Sequence, residues 1–328
     1  MPLDISGKAF TTKKNKPTPD TSNIPPGTSS EKESTKSSPW IPVEPKYKFS
    51  DLILDDVTRD SLLDATSFYS HQDKLMNIWG LSERFSDKAN ISINLYGDSG
   101  TGKTMAAHAI AYELGKQIIF VDYAEIESKY VGETAKNIKL LFTTAEELDA
   151  VIIFDEADAL LSKRVTDMRS SSDVSVNQTR SVLLNILNDY TGIVIFTTNF
   201  IQNFDPAFIR RIRYQIKFNL PNEELRSKLW RMYIPHKMPT DVDILEIAKK
   251  YNEVSGSDIA NAIFTAAIKA ARLENDNVTQ ADFEAAIEQI IQAKKDNAGD
   301  SSMTITKRVV SEEYVKEQLG DRFPQEKE

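Results

Sequence analysis

Gly97-Asp-Ser-Gly-Thr-Gly-Lys103-Thr104 is the most chemically specific stretch of the sequence. It fits G-x-x-x-x-G-K-[ST] and lies where that pattern does its work, after an apolar run ending at Tyr96 and before the helical pattern Met105–Leu114. Glycines 97, 100 and 102 let the backbone curl so that successive N–H groups point at phosphate oxygens. The following helix N-terminus adds partial positive charge. Lys103 is placed for the β- and γ-phosphates, and the Thr104 hydroxyl for Mg²⁺, whose other ligands would be phosphate oxygens and water. The expected nucleotide contacts are Asp98, Ser99, Gly100, Thr101, Gly102, Lys103, Thr104 and Met105, with ATP and Mg²⁺ as the bound species.

A second motif supplies acids. Val151-Ile-Ile-Phe-Asp155-Glu156-Ala-Asp158 reads as a buried strand ending in carboxylates, which delivers them to the carboxyl edge of a sheet beside the phosphate loop. Asp155 is expected to orient Mg²⁺ and Glu156 to polarise the water that attacks the γ-phosphate. Asp158 reads as a supporting, interface or surface acid. A third run, Ile193-Val-Ile-Phe-Thr-Thr-Asn199, ends in an amide that either closes a turn or bonds the attacking water or γ-phosphate.

These motifs need a parallel sheet to converge. Apolar runs at Ile91–Tyr96, Gln117–Val121, Val151–Asp155, Ile193–Thr198 and Tyr214–Leu220 alternate with helical patterns, as in repeated βαβ units. Residues 46–220 are therefore expected to form an α/β domain. Residues 221–295 follow as a small all-helical domain. Three of its helices are expected to start with the Ser/Thr-x-x-Asp capping pattern, at Thr240 with Asp243, Ser255 with Asp258 and Thr279 with Asp282. Residues 1–45, rich in Pro, Ser and Lys, lack the apolar pattern needed to offset chain entropy and read as a disordered arm; 296–328 read as a charged tail with one possible helix at Glu312–Leu319.

With 40% hydrophobic and 27% charged residues the chain is of ordinary globular composition. A net charge of -9 disfavours nucleic acid as the main partner. The absence of cysteine excludes disulfides, thiolate metal sites and a cysteine nucleophile. The three histidines, His71, His108 and His236, are scattered and form no H-E-x-x-H zinc motif. The N-terminal residues lack a secretory apolar core, and no stretch approaches the roughly 18 apolar residues of a membrane span. A cytoplasmic, soluble protein is expected.

The ordered series Gly97–Thr104, Val151–Glu156, Phe196–Asn199, Asp205–Arg213 and Ser255-Gly-Ser-Asp258 resembles the AAA subgroup of AAA+ ATPases over roughly residues 48–294. The resemblance implies a P-loop NTPase-type five-stranded parallel sheet of order 5-1-4-3-2 flanked by helices, a helical lid, and subunits assembled into a ring, here a homo-hexamer. It favours the role of Asn199 as a hydrogen-bond partner of the attacking water or the γ-phosphate over a turn residue. It makes Arg210 and Arg213 arginine fingers reaching a neighbouring subunit's ATP, and Arg211 an interface or surface charge. It sets adenine between Asp51–Ile53 and the lid, with Gly256 and Ser257 close by. Ser128-Lys129-Tyr130-Val131-Gly132 resembles the first pore loop of AAA unfoldases, in which Lys129, Tyr130 and Val131 would grip a protein client; Val165–Asn177 is a candidate second loop or a flexible connection. Two departures from the family pattern stand out. Tyr233 occupies the place of a common adenine-side His, and Asp98-Ser99 replaces two prolines, bringing an acid close to the triphosphate unless it faces solvent.

Three functions fit this reading. The first is an ATP-driven remodeller of proteins. The second is a nucleic-acid loader or regulator, which would need inward-facing cations beyond Lys129, Lys163 and Arg164. The third is a nucleotide-switched assembly adaptor.

Overall fold

Strands covered by helices on both faces can be apolar throughout, and five such runs build one sheet. The computed structural model describes residues 40–84, 91–121, 134–162, 171–199 and 204–298. Its strands are β1 (Ile91–Gly97), β2 (Ile118–Val121), β3 (Val151–Phe154), β4 (Ile193–Thr198) and β5 (Tyr214–Phe218). Every pair is parallel, in the order β2-β3-β4-β1-β5, which is the expected 5-1-4-3-2 arrangement. Alternate side chains face opposite layers. Ile93, Leu95, Ile153 and Ile195 pack with Leu62 and Ile110 on one face. Ile152, Phe154, Val194 and Phe196 pack with Phe142 and Leu187 on the other.

Register brings the chemistry to one edge. β1 pairs with β4 up to Tyr96↔Thr198, and β3 with β4 up to Phe154↔Phe196. Gly97, Asp155 and Asn199 therefore all emerge at the carboxyl ends of neighbouring strands.

One interior strand is not wholly apolar. Ser92 and Asn94 are buried in β1. The Ser92 hydroxyl donates to the Arg211 carbonyl at 2.9 Å and accepts the Arg213 N–H at 3.1 Å. Asn94 donates to the Gln215 side chain at 2.9 Å and accepts from the Thr198 hydroxyl at 3.3 Å. A buried polar group needs such partners, and here they tie the arginine-bearing turn to the middle of the sheet.

Four helices, Glu223–Tyr233, Ile244–Lys250, Gly256–Arg272 and Gln280–Ala298, form the lid around Trp230, Ile259 and Phe283. Arg226 is buried among them and donates to the carbonyls of Ala248 (2.8 Å) and Pro221 (2.7 Å), joining two lid helices to the segment that precedes them. Ser255 with Asp258 and Thr279 with Asp282 form the expected reciprocal capping bonds. Thr240 does not cap a helix: Asp243 itself is the N-cap of Ile244–Lys250, its carboxylate accepting from the N–H groups of Leu245 and Glu246. The last lid helix runs to Ala298, past the expected boundary at 295. The tail from 299 onward, Glu312–Leu319 included, lies outside the described residues.

The arm boundary also shifts. Residues 1–39 lie outside the described residues, but 40–45 do not belong with them. Trp40 is buried in the core beneath β2, and Val43 forms an antiparallel bridge with Ile118, exchanging two backbone hydrogen bonds of 2.8 Å. This strap covers part of the sheet edge that β2 would otherwise present to other chains. Its next residues reach the phosphate-loop helix, where the Lys46 N–H donates to His108 Nδ1 at 3.3 Å and Tyr47 packs edge-on against the same ring. Trp40→Ala is therefore expected to lower stability in urea melting by about 3–5 kcal/mol, the usual cost of emptying a buried Trp site. Equal melting curves for Trp40→Ala and the parent would place the strap outside the cooperative fold.

Among the described residues no helix is long and apolar enough to cross a membrane.

Candidate active site

The phosphate loop is built for an anion. Helix Lys103–Glu113 begins after Gly102 with no side chain capping its first turn, so its N-terminal N–H groups and dipole face the loop. Gly102 has φ 97°, and a Cβ there would meet nothing within 4 Å, leaving open space above the helix end. Gly100, at φ 75°, is required for a different reason. A Cβ there would lie 2.6 Å from the Ser255 hydroxyl, where the lid closes on the loop, and the Gly100 carbonyl accepts the Ser257 N–H at 3.2 Å.

Lys103 is buried and its ammonium donates to the carbonyls of Gly97 (2.8 Å) and Asp98 (2.7 Å). Burial pushes its pKa down, against the opposing pull of Asp158, Asp98 and Asp155. A bound polyanion would favour the charged form. The Asp98 side chain is exposed and stands outside the cleft, so the acid that replaces a proline points to solvent, and its carbonyl is what serves the site.

The Thr104 hydroxyl donates to Asp155 Oδ1 at 3.0 Å, so the two expected metal-side oxygens are neighbours. Hard oxygen donors, few in number and beside an open phosphate cradle, fit Mg²⁺, which keeps water and takes phosphate oxygens as its other ligands. Among the described residues no cluster of three or more His, Cys, Asp or Glu forms a self-contained metal cage.

Glu156 is exposed at the strand end and has φ 49°, a left-handed backbone costing a non-glycine residue on the order of 1–3 kcal/mol. Its N–H donates to Thr197 Oγ1 at 3.1 Å. Asp158 serves the scaffold instead, since its two carboxylate oxygens accept the Asn199 N–H at 3.1 and 3.3 Å and so fix the end of β4. His108, buried on the phosphate-loop helix, accepts through Nδ1 and so carries its proton on Nε2. Burial and then the Lys46 charge lower its pKa, opposed by Asp155.

A cleft of ≈ 300 Å³ joins these groups. Ser99 to Met105, Asp155, Glu156 and Asn199 line it, as do Asp51–Ile53, Tyr233, Gly256 and Ser257, where adenine was expected. Leu225, Leu229 and Met232 of the first lid helix add an apolar wall. Their i, i+4, i+7 spacing is visible in the sequence but reads equally as helix core. Thr197 and Thr58 also line the cleft and were not singled out by motif.

Arg210 and Arg213 are exposed and do not line this cleft. Arg213 lays its guanidinium over its own chain's Phe68 ring, 5.0 Å from the centroid. Arg211 donates to Asn188 at 2.8 Å and to the Ala207 carbonyl at 3.0 Å, which occupies it within the chain. Lys129, Tyr130 and Val131 lie outside the described residues, as do 165–170 of the second candidate loop; Ser171 to Asn177, expected as loop, instead open helix Ser171–Asp189.

Residues 93–222 match the family model described as "ATPase family associated with various cellular activities (AAA)", and residues 241–285 match the AAA+ lid domain. The chain belongs to the AAA+ ATPase family. Its sheet order, phosphate loop and lid are those of that family, and curated relatives agree. This AAA+ chain is 36% identical over 217 residues to a "26S proteasome regulatory subunit 8 homolog" of Schizosaccharomyces pombe, covering 64% of this chain and 53% of the relative. It is 35% identical over 210 residues to a "26S proteasome regulatory subunit 4 homolog" of Oryza sativa subsp. japonica, covering 62% and 47%. A "26S proteasome regulatory subunit 4 homolog B" of Arabidopsis thaliana is 33% identical over 224 residues, covering 66% and 50%. The chain spans about half the length of the curated relatives it matches.

Proposed function

We propose that this AAA+ chain hydrolyses Mg-ATP and uses the cycle to remodel a protein client as a ring-shaped homo-oligomer, a hexamer, in the cytoplasm. One observation carries the hydrolase reading: the phosphate loop, the Thr104–Asp155 pair, Glu156 and the lid's Ser257 line a single cleft. Loop N–H groups and Lys103 bind the triphosphate, while Thr104 and Asp155 would hold Mg²⁺. The ion, when bound, neutralises charge that builds on the phosphate oxygens. Glu156 takes a proton from water as its oxygen attacks the γ-phosphorus, the bond from that phosphorus to the β–γ bridging oxygen breaks and ADP leaves with the bridging oxygen, and Asn199 orients the water.

The cleft as lined by one chain has Lys103 as its cation, which leaves the charge on the transferring phosphoryl group incompletely offset. An arginine from an adjacent copy completes it and would contribute about 10³–10⁵ in rate. Arg210 suits that role better than Arg213, whose guanidinium already packs on Phe68. Assembly and hydrolysis are thereby coupled. The relatives' printed names, regulatory subunits of the proteasome, support a protein client, and the acidic net charge of -9 disfavours the nucleic-acid reading.

Tyr130 is the residue that would transmit the work. Tyr130→Ala should keep phosphate release and lose ATP-dependent unfolding of a fluorescent, loosely folded polypeptide probe. Unfolding at the parent's rate would remove threading from the proposal while leaving hydrolysis intact.

A further inference from the structure

Thr197 makes contacts out of proportion to its place as one residue in a buried strand. It is 2% exposed, in β4, and three hydrogen bonds join it to the three consecutive residues that leave β3. Its hydroxyl donates to Asp155 Oδ1. The same oxygen accepts the Glu156 N–H at 3.1 Å. Its carbonyl accepts the Ala157 N–H at 2.9 Å. A hydroxyl has one proton to give and lone pairs to receive with, so this pair of side-chain contacts uses the group in both senses at once.

The consequence falls on two different acids. Asp155 Oδ1 receives hydroxyls from Thr104 and from Thr197, which fixes the rotation of the carboxylate and with it the direction of Oδ2. Glu156 is held in a left-handed backbone at φ 49°, which a non-glycine residue keeps only when neighbours impose it. Its N–H bond to Thr197 is the contact that does so from across the sheet.

We propose that Thr197 is a positioning residue for hydrolysis: one hydroxyl sets the orientation of the metal-side carboxylate Asp155 and the backbone twist that aims Glu156 at the attacking water. The inference rests on the hydrolase reading above and deepens it. Thr197 borders the cleft, but its hydroxyl is engaged by the two acids, and it acts through them.

The test uses the full chain with Thr197→Val, which keeps shape and removes the hydroxyl, and Thr197→Ser, which keeps the hydroxyl and removes a methyl. Both retain the backbone bond to Ala157. Three quantities are read: phosphate release at saturating ATP, Kd for a fluorescent ATP analogue with Mg²⁺ and with EDTA, and melting temperature. Thr197→Val should lose about 10–100-fold in kcat, as when an outer partner of a ligand is removed. Its Kd in EDTA should match the parent, its Mg²⁺-dependent gain in affinity should shrink, and Thr197→Ser should restore both. Parent-like kcat in Thr197→Val overturns the inference with the hydrolase reading intact. So does a fall in melting temperature and in EDTA affinity for both variants, which would assign the residue to packing alone. A parent protein that releases no phosphate overturns the hydrolase reading itself, and this inference with it.

Discussion

Lys103→Ala is expected to abolish ATP binding at ordinary nucleotide concentrations while leaving the fold in place. Lys103 is the cation lining the cleft, and its ammonium waits on the Gly97 and Asp98 carbonyls at 2.8 and 2.7 Å. Those contacts are available only because the loop bends back on itself, so the charge is already desolvated and oriented before any ligand arrives. Removing one partner of a buried, hydrogen-bonded charge pair costs about 2–5 kcal/mol. That raises Kd by about 30-fold to several thousand-fold, measurable by titration with a fluorescent ATP analogue. Helix Lys103–Glu113 keeps its buried Ala106, Ala107, Ile110 and Ala111, so melting temperature should barely move. The variant has a second use. Mixed with Arg210→Ala, which lacks the finger and keeps its own nucleotide site, it should regain part of the phosphate release that each lacks alone, because an intact cleft then meets an intact Arg210 from its neighbour. Tight ATP binding by Lys103→Ala would mean that loop N–H groups and the metal suffice, and that the lysine serves the loop alone.

Much of this site is legible in the sequence, and the reason is chemical. Gly97–Thr104 and Asp155-Glu156 are local patterns in which spacing and conformation are inseparable, and strands with both faces covered announce themselves as uninterrupted apolar runs. What escapes the sequence depends on contacts between distant segments. Thr197 reads as one more β-branched strand residue; only the pairing of β3 with β4 puts its hydroxyl between two acids 41 and 42 positions away. Ser92 and Asn94 interrupt an apolar strand, and their partners Arg211, Arg213 and Gln215 lie about 120 positions on. Trp40, Ile41 and Val43 stand out between prolines as a docking motif or a flexible lead-in to the fold, but composition measures the average of a window, and nothing in it shows that the indole is buried. The Thr240 misreading has another origin. Asp is as good an N-cap as Thr, so Thr-x-x-Asp can mark a capping box beginning at the Thr or a helix beginning at the Asp, and Asp243 takes the second course.

Glu156→Gln separates binding from chemistry. Glutamine keeps the length and planarity of the side chain and leaves the backbone N–H on Thr197 Oγ1, so the φ 49° turn and the Asp155 contacts should persist. What it lacks is an oxygen basic enough to take a proton from water. General-base loss costs typically about 10²–10⁴ in rate, so kcat for phosphate release should fall by that factor with Kd for ATP unchanged. The assignment to Glu156 over its neighbours follows from what the other acids already do. Asp155 accepts the hydroxyls of Thr104 and Thr197, and Asp158 accepts the Asn199 N–H, whereas among the described residues no hydrogen bond or ion pair engages the Glu156 carboxylate. An acid spent on holding the scaffold loses freedom to move; one left open to the cleft retains it. Because hydrolysis is what would release the shared interface, the variant should also accumulate as an ATP-held assembly by native mass spectrometry, with any client arrested upon it. Parent-like turnover would transfer the base role to Asp155 or Asp158. Lost ATP binding would mean instead that the left-handed turn at Glu156 supports the phosphate loop through Asp155, making its side chain part of the binding scaffold.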